Sequence, residues 1–318
     1  ALEFGLFKNR ISGTVEYFDR QSTNLIFAVP LPLSVGIQTE TRNIGSMYNR
    51  GIELQLSADL VRTKDFTWNV DLNATKLENK ITKMPAESKE IIDGTKKLKE
   101  GSSLYDYWLR EYKGVNPETG VAEYRAISYV ASNSRITATG DTLTNNIANA
   151  RFWYNGTSIA DLTGSVTNTI RYKGFSLSAL AVFQIGGKIY DAAYASLMSA
   201  GYHSAKSTDI LKRWVNPGDV TNIPRMDNGR TADFDAASDR WLIDGSYLNI
   251  RTVTLSYQIP RSFLNKYKID NANIYVSGEN FLMLSRRSGM NVQQNFGGTT
   301  SNVYSPAKSL VLGISFSL

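Results

Sequence analysis

Cysteine is absent from the 318 residues, so disulfide frameworks and thiolate metal sites are excluded. Histidine is almost absent. The single His203 stands beside Ser204 in what reads as a long loop, and a Ser-His pair needs an orienting acid that no spacing here identifies. No apolar run approaches the roughly 18 residues of a spanning helix. The best, Phe175 to Gly187, is shorter and broken by Ser176, Ser178 and Gln184, which excludes a helical membrane protein. Nor does a basic segment followed by an apolar one open the chain, which begins Ala1-Leu2-Glu3-Phe4-Gly5-Leu6-Phe7; a signal was removed or the true N-terminus lies elsewhere. The net charge of +6 is scattered, with no patch for nucleic acid. Its densest run, Lys96-Lys97-Leu98-Lys99, reads as a solvated loop face.

Other chemistry is equally sparse. Asp233, Asp235 and Asp239 lack the glycine turn and distal glutamate of a calcium loop. Gly186-Gly187 and Gly297-Gly298 precede no helical pattern, so they are loop glycines and not phosphate cradles. Asn116-Pro117-Glu118-Thr119-Gly120 reads as a turn, Pro presetting φ and Gly allowing it to be positive. No catalytic residue, metal or cofactor is expected.

What is abundant is dispersed. Hydrophobic residues reach 42% and aromatics 11%, with 17 Tyr, yet the mean hydropathy is −0.26. The dispersal has a period of two, as in strands with one apolar face. From Arg50 to Asp59, Ile52, Leu54, Leu56 and Ala58 alternate with Glu53, Gln55, Ser57 and Asp59. Phe66, Trp68, Val70, Leu72 and Ala74 alternate with Thr67, Asn69, Asp71 and Asn73. Over Gly164 to Tyr172, Val166, Ile170 and Tyr172 oppose Ser165, Thr167, Thr169 and Arg171. The final segment sets Leu310, Leu312, Ile314, Phe316 and Leu318 against Val311, Gly313, Ser315 and Ser317. Leu2–Phe7, Ile11–Arg20, Phe175–Gly187, Tyr247–Gln258 and Ala272–Leu282 bring the total to about nine strands. A phase slip between Ile250 and Val253 predicts a bulge or strand end.

The connections alternate in length. Lys8-Asn9-Arg10, Leu60 to Asp65, Lys173-Gly174 and Ile259 to Asn271 are short; residues 23–46, 77–162, 188–246 and 283–307 are long. Short turns on one rim and long loops on the other describe an outer-membrane barrel, with turns in the periplasm and loops outside. Soluble sandwiches give no reason for such alternation. Glu53, Gln55, Asp59, Asn69, Asp71, Asn73 and Arg171 are then expected to face a polar lumen, since their carboxylates would be costly in a packed core. Aromatics near strand ends, namely Tyr17, Phe18, Tyr48, Phe66, Trp68, Tyr172, Phe175, Tyr247 and Tyr257, suit either an interfacial girdle or plain β-propensity. An odd number of antiparallel strands cannot close, and an open edge in lipid leaves unpaired backbone, so the chain is expected to be part of a larger barrel.

Several strings resemble the C-terminal barrel of SusC/RagA-family TonB-dependent transporters. They are Asn43-x-Gly45-Ser46-Met47-x-Asn49-Arg50-Gly51-Ile52-Glu53, Asp65-Phe66-x-Trp68-x-Val70-x-x-Asn73 and Asn79-Lys80-Ile81. Next come Glu100-Gly101-Ser102-Ser103, Tyr112-Lys113-Gly114-Val115-Asn116-Pro117-Glu118-Thr119-Gly120, Arg213-Trp214-x-x-Pro217-Gly218-Asp219 and Ile223-Pro224-Arg225. Tyr247-Leu248-x-Ile250-Arg251, Tyr257-x-Ile259-Pro260, Val276-Ser277-Gly278-Glu279-Asn280-Phe281 and Tyr304-x-Pro306 complete the set. The chain departs from the family pattern in lacking a proline over Thr157 to Asp161 and in ending on Leu318 where Phe is commoner.

The resemblance implies an all-β transmembrane antiparallel barrel of about 22 strands, of which this chain supplies about nine. It also implies an N-terminal plug and TonB box outside this chain, a SusD-like surface lipoprotein as lid, and the outer membrane of a Gram-negative, Bacteroidota-type cell. The expected function is TonB-dependent import of oligosaccharides, or of oligopeptides, with a porin, an adhesin or a membrane-embedded hydrolase based on His203 as rivals. Loop aromatics Tyr105, Tyr107, Trp108, Trp153, Tyr154 and Trp241 are the candidates for substrate contact, by stacking on sugar rings, unless they merely fold the loops.

Overall fold

A computed structural model describes residues 1–43, 45–86, 88–202, 204–287, 290–293, 297–300 and 306–317. His203, Tyr304 and Leu318 therefore lie outside the described residues. Nine strands form one sheet: β1 (Leu2–Leu6), β2 (Ile11–Thr23), β3 (Ser46–Arg62), β4 (Phe66–Lys83), β5 (Leu162–Tyr172), β6 (Phe175–Ile185), β7 (Tyr247–Gln258), β8 (Asn271–Ser285) and β9 (Ser309–Ser317). They pair in chain order, every neighbour antiparallel. Among the described residues nothing pairs β1 with β9, so the sheet is open, as the odd strand count requires.

The short connections carry their own geometry. Between β5 and β6, Lys173 (φ 45°) and Gly174 (φ 91°) form a two-residue turn with both central φ angles positive, as the twist of a tight hairpin demands. Between β3 and β4, the Thr63 hydroxyl and backbone bracket Phe66 at 2.8–3.0 Å. The bulge predicted in β7 is present. Leu180 pairs with Thr252 and Ala181 with Ile250, leaving Arg251 unopposed on that side. On the other side Ile250 meets Leu282 and Thr252 meets Glu279.

Register turns the alternation into two surfaces. Leu56, Leu72, Val166, Ala181 and Ile250 stand in one cross-strand row, and Trp68, Ile170, Leu177, Leu255, Val276 and Leu312 in another. This face stays exposed: Leu310 and Leu312 are 78% and 77% accessible, and Ile314 and Phe316 66%. So much uncovered apolar surface on regular strands belongs against lipid or a partner. Asn168 is a polar member of it, accepting a hydrogen bond from Trp68 Nε1 at 3.3 Å. Phe66, Tyr172, Phe175 and Tyr257 form an aromatic row across β4–β7 at the short-turn rim, with Phe175 and Tyr257 4.5 Å apart between centroids.

Most of the buried core is not in this sheet, whose buried apolar side chains among the described residues are Ala58, Ile81 and Ala272. It lies in the long connections, which fold as a module where the sequence pattern showed only loops. β4 and β8 run past their expected ends, to Lys83 and Ser285. Residues 84–161 then build two four-stranded sheets. One contains Tyr112–Val115, Ala122–Arg125, Thr142–Thr144 and Ser134–Ile136; the other contains Phe152–Thr157, Asp106–Arg110, Lys96–Lys99 and Glu90–Asp93. The next long connection closes on them. Val121, Ala122 and Tyr124 pack with Ala200, Phe234 and Ala236, and Tyr107 and Leu109 pack with Tyr190, Met198 and Trp241. The last one joins through residues 297–300: Tyr190 N donates to Gly298 O (2.7 Å) and Thr300 N to Tyr190 O (2.9 Å). Arg287 reaches the buried Asp191 carboxylate at 2.6 Å, an ion pair whose angles are not those of a hydrogen bond.

Candidate functional site

The face opposite the apolar one is polar, and period-two geometry puts every candidate of the barrel strands on it. Glu53, Gln55 and Asp59 of β3 meet Thr75, Asn73 and Asn69 of β4 in register, with Asp71 opposite Ser57. Asn69 Nδ2 donates to Asp59 Oδ1 (3.2 Å) and Ser57 Oγ (3.3 Å), and Asn73 Nδ2 to Ser165 Oγ (3.4 Å). Arg171 of β5 lies on the same face between Thr67 and Ser176. Side chains of this kind offer hydrogen bonds to an aqueous or polar occupant and remain solvated without one.

The loop aromatics divide. Tyr107 is wholly buried, its hydroxyl donating to Gly298 O (2.6 Å) and lying 3.0 Å from Lys188 O. Burial pushes its phenol well above the ordinary tyrosine range. Trp241 is 2% exposed, with Nε1 donating to Ala236 O at 3.2 Å. Neither presents a ring to a ligand, which corrects the expectation for both: with Tyr124 they are the largest members of the module's core. Trp108 and Tyr154 are half-buried and meet edge to face at 4.8 Å, Trp108 also stacking on Phe152 at 6.1 Å. Tyr105 is half-buried, and its carbonyl accepts from Lys96 Nζ at 2.7 Å. Trp153, 54% exposed beneath the Arg151 guanidinium, presents the most open ring.

The basic run is not a solvated face. Lys96 Nζ sits 3.2 Å from the Tyr107 ring centroid, and burial pushes its ammonium down to about 7 against the pull of Asp106. Lys97 lies 4.2 Å over Trp108 and pairs with Glu90 at 2.6 Å. Their strand packs lengthwise on the aromatic strand Asp106–Arg110, and an isolated run of lysines carries no sign of that. The three aspartates considered for calcium each close a different loop contact: Asp233 with Arg230, Asp235 with Ala200 N and Ser199, Asp239 with Tyr112 N.

A cavity of about 350 Å³ lies where the polar face meets the module. Thr75, Thr163, Gln184 and Tyr247 line it from four successive strands, and Ser158 and Gln293 line it from the connections. The sequence pattern singled out only Tyr247 among these, as a strand-end aromatic, and none of them as a ligand contact. The barrel four share the polar phase of their strands, but only the register puts them side by side.

No protein-family model matches the chain. Its sequence is similar to TonB-dependent receptor P3 of Formosa agariphila, 28% identical over 93% of this chain and 30% of that protein. It is also similar to TonB-dependent receptor SusC of Bacteroides thetaiotaomicron, 23% identical over 99% of this chain and 31% of that protein. The structure of the RagAB peptide transporter superposes with a TM-score of 0.85 at 22% identity, over 99% of this chain and 34% of that one. The chain thus spans about a third of the length of the proteins it matches.

Proposed function

Since this chain is homologous to a stretch of the TonB-dependent receptors and has the fold of part of such a barrel, we propose that the protein containing it imports oligosaccharides across the outer membrane. The observation that carries this is the two-faced sheet: paired strands with exposed apolar side chains on one side and hydrogen-bonding side chains on the other. Lipid takes the first face, and the second lines a lumen. On this view the short turns are periplasmic and the long-connection module is extracellular. The rest of the barrel and a plug complete the pore, TonB supplies the energy, and a SusD-like lipoprotein covers the module.

Binding would take place at the module and the adjacent polar wall, before the plug is displaced. The half-buried and exposed rings of Tyr105, Trp108, Trp153 and Tyr154 remain the aromatic candidates there. Oligopeptides are the second cargo class, favoured by the shared fold with a protein described as a peptide transporter. Uptake of labelled oligosaccharides and peptides by cells, with and without the gene, TonB or the neighbouring lipoprotein, tests the proposal. Oligosaccharide uptake that needs all three is the expected result; uptake unchanged by loss of the gene or of TonB overturns it.

A further inference from the structure

Thr75 pairs with Thr163, Thr163 with Gln184 and Gln184 with Tyr247, so two hydroxyls, an amide and a phenol stand in a straight row on β4–β7. At about 4.8 Å per strand the row extends about 14 Å, long enough for more than one sugar ring. Gln293 faces it across the cavity. Its Oε1 accepts from Asn249 Nδ2 at 2.8 Å, which orients the amide and leaves its NH₂ as a donor. Gln184 is held the other way: its Nε2 donates to Gly186 O (3.3 Å) and Gly245 O (3.1 Å), which leaves Oε1 as an acceptor. Leu77, Ile189 and Val292 supply apolar wall between these groups.

Among the described lining residues there is no carboxylate, ammonium or guanidinium. That is local, not general to the module: the cavity of about 530 Å³ beside it is lined by Asp161, Lys188, Asp239 and Asp244. A charged ligand in the uncharged cavity would lose water without gaining a counter-charge. An extended peptide finds no free strand edge there either, because β4–β7 are paired on both sides and strand addition is impossible. Ligand hydroxyls, which donate and accept, match a row of hydroxyls that contains one oriented amide acceptor and faces one oriented amide donor.

We propose that this cavity is a subsite for an uncharged oligosaccharide, selecting against carboxylated or sulfated glycans and against peptides. The subsite rests on the import function proposed above.

The test uses the full-length receptor purified with whatever surface partner accompanies it, as wild type and as the Thr163→Val/Tyr247→Phe double variant. Both substitutions remove a hydroxyl at nearly constant shape, and heat-modifiable gel mobility reports an intact barrel. The probes are a pool of neutral oligosaccharides from partial hydrolysis of starch, mannan and laminarin, the same pool with its primary hydroxyls oxidised to carboxylates, and a tryptic peptide pool. Retained molecules are read by mass spectrometry. The expected result is retention of the neutral pool by the wild type, at least tenfold less of the oxidised pool, and at least tenfold weaker neutral binding by the folded variant. Equal neutral binding by variant and wild type overturns the subsite while leaving oligosaccharide import standing. Equal retention of the oxidised pool overturns the selectivity, and so the proposal. Retention of peptides alone overturns both the subsite and oligosaccharide import, and retention of nothing overturns the subsite.

Discussion

The indole of Trp214 donates to the carbonyl of Pro117 at 2.7 Å and covers Gly120, where an added Cβ would come within 2.3 Å of the ring. Two turns almost a hundred residues apart are thereby locked together. Gly120 has φ +70°, and its carbonyl also accepts Arg225 N at 2.9 Å.

Gly120→Ala should accordingly loosen the module by about 2–4 kcal/mol, combining left-handed strain with overpacking against an indole that has little room to move. Hydrogen exchange checks it. Amides of residues 106–125 and 213–227 should exchange faster while those of β4–β7 stay protected.

Tyr107→Phe should cost about 0.5–1.5 kcal/mol of module stability, since it removes one buried hydrogen bond to the Gly298 carbonyl, which Tyr190 N still serves. Trp153→Ala, at a ring 54% exposed, should be near neutral for stability. Limited proteolysis of the long connections ranks the two. Equal resistance of both variants would place Tyr107 outside the core.

Lys96 predicts a pH dependence. Its folded value is pushed down to about 7 by burial, below the ordinary lysine value of 10.5. Between these limits the unfolded module binds the proton and the folded one does not, so stability rises as pH increases through that window and falls to a lower plateau below it. Module melting followed from pH 6 to pH 10 should show this rise. Lys96→Met should flatten it.

The two faces of the sheet make opposite predictions at adjacent positions. Leu72→Arg puts a cation on the apolar face and should cost about 2–4 kcal/mol of barrel stability in bilayers if it lies near the midplane. Asn73→Arg, on the polar face, should cost under about 1 kcal/mol. Reversible folding into lipid vesicles measures both. The reverse ranking would invert the sheet's assignment to lipid and lumen.

Much of the barrel was legible in the residues. Each strand touches two solvents, so Ile52 to Asp59 and Phe66 to Ala74 had to alternate, and turn chemistry such as Lys173-Gly174 had to punctuate them. The slip at Ile250 to Val253 pointed to a bulge or a strand end because an extra residue shifts the phase of everything after it, and the register put the bulge at Arg251. The module left no such signature. Its core joins Tyr124 to Phe234, and Tyr107 to Trp241, across more than a hundred residues with no common period, and its short strands pair through contacts that a local window cannot show. For that reason Tyr107 and Trp241 read as either substrate contacts or loop-folding aromatics, and Lys96-Lys97 as a solvated run. The amino-acid pattern by itself determined that this chain makes a two-faced antiparallel sheet, since local alternation is set by which medium each side chain meets. Only tertiary structure decided which loop aromatics are buried and which polar side chains line one cavity, because register and long-range packing, not neighbouring residues, bring those groups together.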